Sequence, residues 1–140
     1  MNYFRHIEAS LLRFCAQFGQ GRGLTPLNMD DFTQESQWPA DKDFIGFGEL
    51  NLDITDFYDG EAAFMLSTLE DLGQSRLRGH LHDLLDLVAP NAAIDVVHAD
   101  TGEKLGDLFI YDGVRVGPPV VTKTRPIRPV FFRFGSNLSR

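Results

Sequence analysis

Several segments alternate apolar with polar side chains, as β-strands do. They occur in pairs separated by turn residues, and this pairing constrains the fold more than any other feature of the chain. Residues 49–58 alternate apolar with polar side chains, Asp59-Gly60 follows, and residues 61–67 have the composition of a return strand. Asp-Gly between two such runs favours a type I′ hairpin turn, because that turn requires positive φ at both central residues. We therefore predict a hairpin in which Tyr58 pairs with Glu61.

A second pair of strand-like segments follows later in the chain. Residues 94–99 and 105–111 flank the turn-forming residues 100–103, which predicts another antiparallel hairpin. The last strand-like segment, residues 129–134, is aromatic. Because proline has no N–H to donate to a neighbouring strand, Pro126 and Pro129 predict that this segment is an edge strand or a strand that begins late.

Two further segments have the period of an amphipathic helix. Apolar side chains recur at spacings of three and four over residues 2–18, where Gly19 ends the pattern, and again over residues 76–88, ahead of Pro90. The order of helix, long loop, hairpin, helix, hairpin and final strand predicts an α+β fold. In this prediction residues 1–140 form a single domain, whose mainly antiparallel sheet has both helices packed on one face.

The second helix is predicted to cover a particular face of the sheet. Its apolar side chains form one stripe, and the register given above gathers apolar side chains of the first hairpin on one face. These are the two cleanest apolar surfaces in the sequence, so we predict that they pack together. The helix residues are Leu77, Leu81, Leu84, Leu85 and Val88, and the sheet residues are Leu52, Ile54 and Met65.

Residues 20–43 show no sustained period and are interpreted as one long loop between the first helix and the first strand. Loops longer than about 12–15 residues in a compact domain are usually functional or flexible. This segment carries Leu27, Phe32 and Trp38 among polar residues. We predict an arm that uses these three side chains to contact a neighbouring subunit or another partner.

The composition is that of a folded protein without a membrane segment. The chain has 140 residues, a net charge of −7 and 43% hydrophobic residues, which suits one globular domain. Its apolar stretches are far shorter than the roughly 20 residues of a transmembrane helix, and the first residues lack the pattern of a signal peptide. The single cysteine, Cys15, indicates a reducing compartment.

The sequence contains no strong signature of catalysis or of a cofactor site. Its serines lie outside a G-x-S-x-G motif, and its glycines form neither of the common phosphate-binding patterns. His80 and His82 are two positions apart, so on a helix they point to different faces and cannot bind one metal ion together. We expect no catalytic residue, no metal and no cofactor.

Charge is unevenly distributed along the chain. Residues 28–61 contain ten acids and one lysine, a charge of −9, whereas residues 113–140 contain six basic residues and no acid. Blocks of opposite sign either pair within one subunit or meet between copies, and a head-to-tail contact that closes gives a ring. The overall negative charge disfavours nucleic acid as the partner of the basic block. The contact predicted between copies joins Asp53, Asp56, Asp59 and Glu61 to Arg125, Arg128 and Arg133, with Phe132 supplying apolar area.

The order of elements resembles that of the tail terminator proteins of long-tailed bacteriophages. Three stretches carry the resemblance: ELNLDITDFYDGEAAFMLSTLEDLGQSRL, in which an acidic hairpin leads into the second helix, DTGEKLGDLFIYDG, and the basic last strand TRPIRPVFFRF. The resemblance implies an α+β subunit without catalytic residues, which assembles into a hexameric ring, ends the tail tube and joins it to the head. It also implies a virion protein, assembled in the host cytoplasm, whose partners are other copies and the tube and neck proteins.

Two other functions remain open from the residues alone. One is a small hydrolase that uses His80 or His98 with nearby carboxylates, which would require a concave pocket around these groups. The other is a monomeric adaptor domain that binds other proteins. The mass of the protein in solution separates both from a ring.

Overall fold

The computed structural model describes residues 1–69, 74–89, 91–122 and 125–140. Within these ranges the chain forms two α-helices, one short 3-10 helix and eight strands. The helices are α1 (Phe4–Gly19) and α2 (Ser75–Leu87), and the 3-10 helix spans Glu35–Gln37. The strands are β1 (Thr25–Asn28), β2 (Phe44–Ile54), β3 (Tyr58–Ser67), β4 (Ala93–Val97), β5 (Lys104–Ile110), β6 (Arg115–Val116), β7 (Val120–Val121) and β8 (Pro126–Ser136).

The strands form one sheet in the order β1-β2-β3-β8-β5-β4, and the short strands β6 and β7 also pair with β8. Neighbouring strands are antiparallel, except that β1 runs parallel to β2. The sheet is curled, since α1 contacts both edge strands, β1 and β4, as well as β2. The predicted α+β fold with a mainly antiparallel sheet is confirmed.

The largest cluster of buried side chains includes residues of both helices and of the sheet. Phe64 of β3 stacks on Phe14 of α1 and on Phe132 of β8, with ring centroids 4.9 and 4.8 Å apart. We call the side of the sheet that bears Phe64 and Phe132 the inner face. Cys15 of α1 is fully buried in this cluster, and burial raises the pKa of its thiol.

Helix α1 is bound to one end of the edge strand β4. Ser10 Oγ accepts a hydrogen bond from the Val97 N–H (2.9 Å), and His6 Nδ1 accepts one from the Ala99 N–H (3.0 Å). An uncovered edge strand offers unpaired backbone groups to other chains. The helix covers this part of the edge with its own side chains.

The first hairpin differs from the prediction in its turn. Residues 55–57 join the strands, Ile54 pairs with Tyr58, and Asp59 and Gly60 lie inside β3. The predicted Asp59-Gly60 turn is wrong. Tyr58 is buried and donates its N–H to the Leu138 carbonyl (3.0 Å), so a contact distant in sequence holds this residue in the strand.

Because the observed register differs from the predicted one, different residues lie on the two faces of the hairpin. Side chains alternate along a strand, so Met65 lies on the face opposite Phe64 and packs in a second, smaller cluster with Phe44 and Ile127. Ile54 is 39% exposed near the turn. The predicted packing of the second helix against Ile54 and Met65 is therefore wrong, whereas Leu52 is partly buried against the main cluster.

Strand β8 lies inside the sheet, between β3 and β5, so the predicted edge position is wrong. The strand begins at Pro126, as the alternative of a late start allows for that residue, but Pro129 lies within it. A strand residue points its N and its carbonyl to the same side. The carbonyl of Pro129 accepts a hydrogen bond from the Gly117 N–H (2.9 Å), so the missing N–H of Pro129 faces the break between β6 and β7. Proline can occupy this central strand because the neighbouring strands β6 and β7 are interrupted opposite Pro129.

The segment predicted as a long loop contains a strand. Residues 25–28 form β1, which pairs with β2, and Leu27 and Met29 are each 7% exposed in the second cluster. No periodicity could show this strand, because it is only four residues long. Leu27 thus packs within its own chain, while Trp38 is partly buried against the same cluster.

Candidate interaction surface

The outer face of the sheet, opposite Phe64 and Phe132, carries two adjoining depressions lined by charged side chains. One has a volume of about 310 Å³ and lies over Glu61 and Arg133, which pair across β3 and β8. The other, of about 450 Å³, extends towards Asp53. We call the two together the charged concavity.

A third depression on the outer face is lined mainly by apolar side chains. Its volume is about 320 Å³, and it lies between the segment after β1 and strands β3, β7 and β8. Phe32 is 40% exposed and Val120 51% exposed at its sides. We call it the apolar groove; its further apolar lining residues are Met29, Trp38, Met65, Ile127, Pro129 and Phe131.

One wall of the apolar groove is fixed by Trp38. The indole Nε1 donates a hydrogen bond to the Phe32 carbonyl (2.8 Å), and the ring packs edge to face on Phe44 with centroids 5.7 Å apart. Burying the indole against Phe44 while satisfying its N–H is the arrangement that tryptophan favours. This wall therefore holds Phe32 at the groove in a defined position.

The rim of the apolar groove is fixed by Asp30. Its carboxylate accepts hydrogen bonds from the N–H groups of Glu49 (2.8 Å) and Leu50 (3.2 Å). These two residues form a β-bulge in β2, where Glu49 has a φ of 54°. Glu49 consequently lies where the apolar groove and the charged concavity meet, and it lines both.

Arg125, a predicted interface residue, lies inside the subunit. Its side chain is 4% exposed. Nε donates to Ser67 Oγ (2.7 Å), and the terminal nitrogens donate to the carbonyls of Pro39 (2.6 Å) and Lys42. The guanidinium also lies over the Phe44 ring, and burial lowers the pKa of Arg125. Its donors are used within the chain, so it fixes the segment before β2 to the sheet.

The other predicted contacts of the basic block also involve the chain itself. Phe132 is 2% exposed in the core, so it supplies no apolar area to a partner. Arg128 Nε donates to the Gly117 carbonyl (3.0 Å). Arg133 is exposed beside Glu61 on the outer face. The basic strand and part of the acidic hairpin are thus neighbours within one subunit, as the intramolecular alternative requires.

The acidic residues of the hairpin are spread over the charged concavity and the turn. Asp53 and Asp59 pair with each other across β2 and β3, and both line the concavity with Glu61. Asp59 also accepts a hydrogen bond from the Ser136 N–H (3.3 Å). Asp56 lies in the turn, where its carbonyl accepts from the Arg140 N–H. Asp53, Asp56 and Glu61 are exposed, so the prediction that they contact another copy remains a prediction.

The four histidines lie on two parts of the fold. His80 and His82 lie on α2, while His98 lies after β4 with its ring 4.3 Å from that of His6. The Nδ1 atom of His98 accepts hydrogen bonds from the N–H groups of Asp100 and Thr101. His80 and His98, the two histidines of the hydrolase alternative, therefore lie in different parts of the fold.

His6 is expected to make the stability of the fold depend on pH. Burial lowers the pKa of His6, the neighbouring His98 and Arg5 lower it further, and Asp100 opposes them. Below the ordinary histidine pKa of about 6.5 the unfolded chain therefore takes up a proton that the folded chain resists. We expect the free energy of unfolding to fall as the pH decreases from about 6.5, and this dependence to be weaker in the variant His6→Gln.

Urea denaturation at several pH values measures this effect. The matched control is His82→Gln, since His82 is exposed on α2. It should keep the pH dependence of the unmodified chain. Equal slopes for all three proteins would show that His6 does not couple protonation to folding.

The described ranges contain no group of three His, Cys, Asp or Glu residues placed to hold a metal ion. None of the helices in them is long and apolar enough to cross a membrane. The groups that sequence reasoning did not identify are Asp30, Glu49 and Val120. Asp30 and Glu49 meet only through the β1 and β2 pairing, so no local pattern could have shown their contact.

No protein-family model and no curated protein matches the sequence. Among the solved structures that match, one is similar over 93% of this chain and 96% of the other chain, with a TM-score of 0.50 and 12% sequence identity. The name of that protein states no function. At this identity the similarity concerns the fold alone, and a fold by itself does not define an activity.

Proposed function

We propose that this chain is a structural subunit that assembles with other copies into a ring at the end of a phage or phage-like tail tube and joins the tube to the head or neck. The observation that carries the proposal is the apolar groove, beside which Phe32 and Val120 are exposed. Contiguous exposed apolar surface on a small protein usually marks a contact with another protein.

The order of elements supports a tail terminator. The chain has a helix, an acidic hairpin leading into a second helix, an antiparallel hairpin and a basic last strand, as in the resemblance described above. We further propose that α1 and α2 both pack on the inner face. Leu11 of α1 and Leu81 of α2 belong to one buried cluster with Phe64, which supports this arrangement.

Two solution measurements test the proposed function. Light scattering coupled to size exclusion gives the mass of the assembled protein, and negative-stain images of the same fraction give its symmetry. We expect a closed ring of several copies, with a hexamer as the order implied by the resemblance. A protein that stays monomeric at all concentrations would contradict the proposal and favour the adaptor alternative.

Binding to a tube distinguishes a tail ring from another ring. We expect the ring to attach to one end of purified tail tubes in electron micrographs. A ring that binds no tube end would support self-assembly but contradict the tail function.

A further inference from the structure

We propose that the apolar groove of one copy binds the exposed side of helix α1 of the next copy, an inference that rests on the proposed function and specifies its interface. Two surfaces of complementary chemistry lie on the same chain. One is concave and apolar with an acidic rim, and the other is a helix face that combines apolar and basic side chains.

The apolar groove fits an apolar side chain that has a cation beside it. Its walls include Met29 and Met65, whose flexible thioethers adapt to an inserted side chain. Its rim carries the carboxylates of Asp30 and Glu49, both exposed residues. The Asp30 carboxylate already accepts two backbone hydrogen bonds. A purely apolar partner would desolvate the carboxylate of Glu49, which favours a partner that brings a positive charge.

The exposed side of α1 has this combination. Leu12 is 36% exposed and lies next to Arg13, for which the described ranges contain no ion-pair partner. Ala16 is exposed one turn further along and is small, so a facing surface can approach the helix closely. Phe4 is 43% exposed at the start of the same helix. Glu8 interrupts the row between Phe4 and Leu12, and Arg5 is paired with Asp100. The part of α1 that suits the groove is therefore Leu12 with Arg13 beside it.

The two surfaces cannot meet within one subunit. Phe14 of α1 packs on Phe64 at the inner face, whereas Met65 and Phe131 line the groove at the outer face. The sheet therefore separates the helix from the groove. A contact between two different surfaces of identical copies is heterologous, and it produces a ring when the rotation between copies closes.

The space available on the outer face suits a helix. A stable interface buries about 800 Å² on each partner, more than the groove alone offers. Glu49 and Phe131 line both the apolar groove and the charged concavity, so the two form one continuous surface. A helix of 16 residues, about 24 Å long, can place Leu12 in the groove and Arg13 near Glu49.

Each surface can be disrupted by one exposed residue. Leu12→Glu places a carboxylate on the helix, and Phe32→Glu places one at the groove. Leu87→Glu is the matched control, since Leu87 is a 50% exposed leucine on α2, outside both surfaces. Arg13→Glu and Val120→Glu repeat the test on the same two surfaces if either first variant does not give the circular dichroism spectrum of the folded chain.

Mixing the two disrupted variants gives the most specific test. We expect Leu12→Glu and Phe32→Glu each to be folded monomers and Leu87→Glu to assemble like the unmodified chain. Leu12→Glu retains an intact groove and Phe32→Glu an intact helix, so an equimolar mixture should form a dimer and nothing larger, as measured by light scattering. A surface that pairs with its own copy would not give this complementation.

The outcomes separate this inference from the proposed function. If the unmodified chain forms a ring and the Leu12 and Phe32 variants form it equally well, the interface lies elsewhere and only the inference is overturned. If the variants are monomeric but their mixture contains no dimer, the heterologous pairing is overturned. If the unmodified chain is itself monomeric at all concentrations, the proposed function fails, and the inference fails with it.

Discussion

Replacing Phe64 with alanine is expected to lower the free energy of unfolding by about 3–5 kcal/mol, the range for truncating a fully buried phenylalanine. Phe64 has no exposed surface and is stacked on both Phe14 and Phe132. The substitution therefore removes apolar area and two ring contacts at the point where α1, β3 and β8 meet. Chemical denaturation of the unmodified and variant chains measures the difference.

The control for this prediction is Phe109→Ala. Phe109 is 40% exposed on β5, so its truncation should change the free energy of unfolding by less than about 1 kcal/mol. Equal losses for the two variants would contradict the assignment of Phe64 to the centre of the core.

Replacing Arg125 with alanine is expected to lower the free energy of unfolding by about 3 kcal/mol. The substitution removes the donors that satisfy Ser67 Oγ and the carbonyls of Pro39 and Lys42. Hydrogen bonds to a charged group contribute about 1.5–3 kcal/mol each, and the buried one to Ser67 Oγ is lost together with the contact on the Phe44 ring. Denaturation of the folded variant measures the loss.

Arg133→Ala is the control for Arg125→Ala. Arg133 is exposed on the outer face, so its removal should alter stability by about 0.5 kcal/mol or less. Had Arg125 been an interface residue, as the charge distribution predicts, its replacement would reduce assembly and leave the stability of the subunit unchanged. That result would contradict the buried position of Arg125.

Local patterns predicted the elements whose contacts are near in sequence. The stripe of Leu77, Leu81 and Leu84 predicted α2, which spans Ser75–Leu87, and the turn after residue 99 predicted the pairing of β4 with β5. In both cases the side chains that determine the structure lie within a few turns or one hairpin. The spacing of apolar residues along the sequence reflects such local contacts.

The sequence did not predict features set by distant contacts. Gly60 predicted a turn, yet a Cβ there would lie 2.3 Å from the Asn51 carbonyl oxygen, so glycine serves the close approach of two strands. Arg125 belonged to a charge block in the sequence, but its partners lie more than 80 positions away, at Pro39 and Lys42. Charge alone could not show that a buried arginine serves as an internal tether.

The candidate surface was predictable only in part. Phe32 and Trp38 are aromatic residues in a polar segment, which predicted a contact role, and both line the apolar groove. Val120 lies beside them only because β7 pairs with β8. The groove is formed by segments far apart in the chain. The sequence could therefore suggest some of its residues, but not that these residues lie side by side.

The hydrogen bond between Ser10 and Val97 has a consequence for how the chain is made. These residues are 87 positions apart, so α1 is complete long before its partner strand β4 has been synthesised. Contacts of such long separation form late and slow the folding of a domain. The part of α1 that binds β4 must therefore stay uncovered until late in synthesis, and a nascent chain stopped before residue 97 should be bound by chaperones rather than fold.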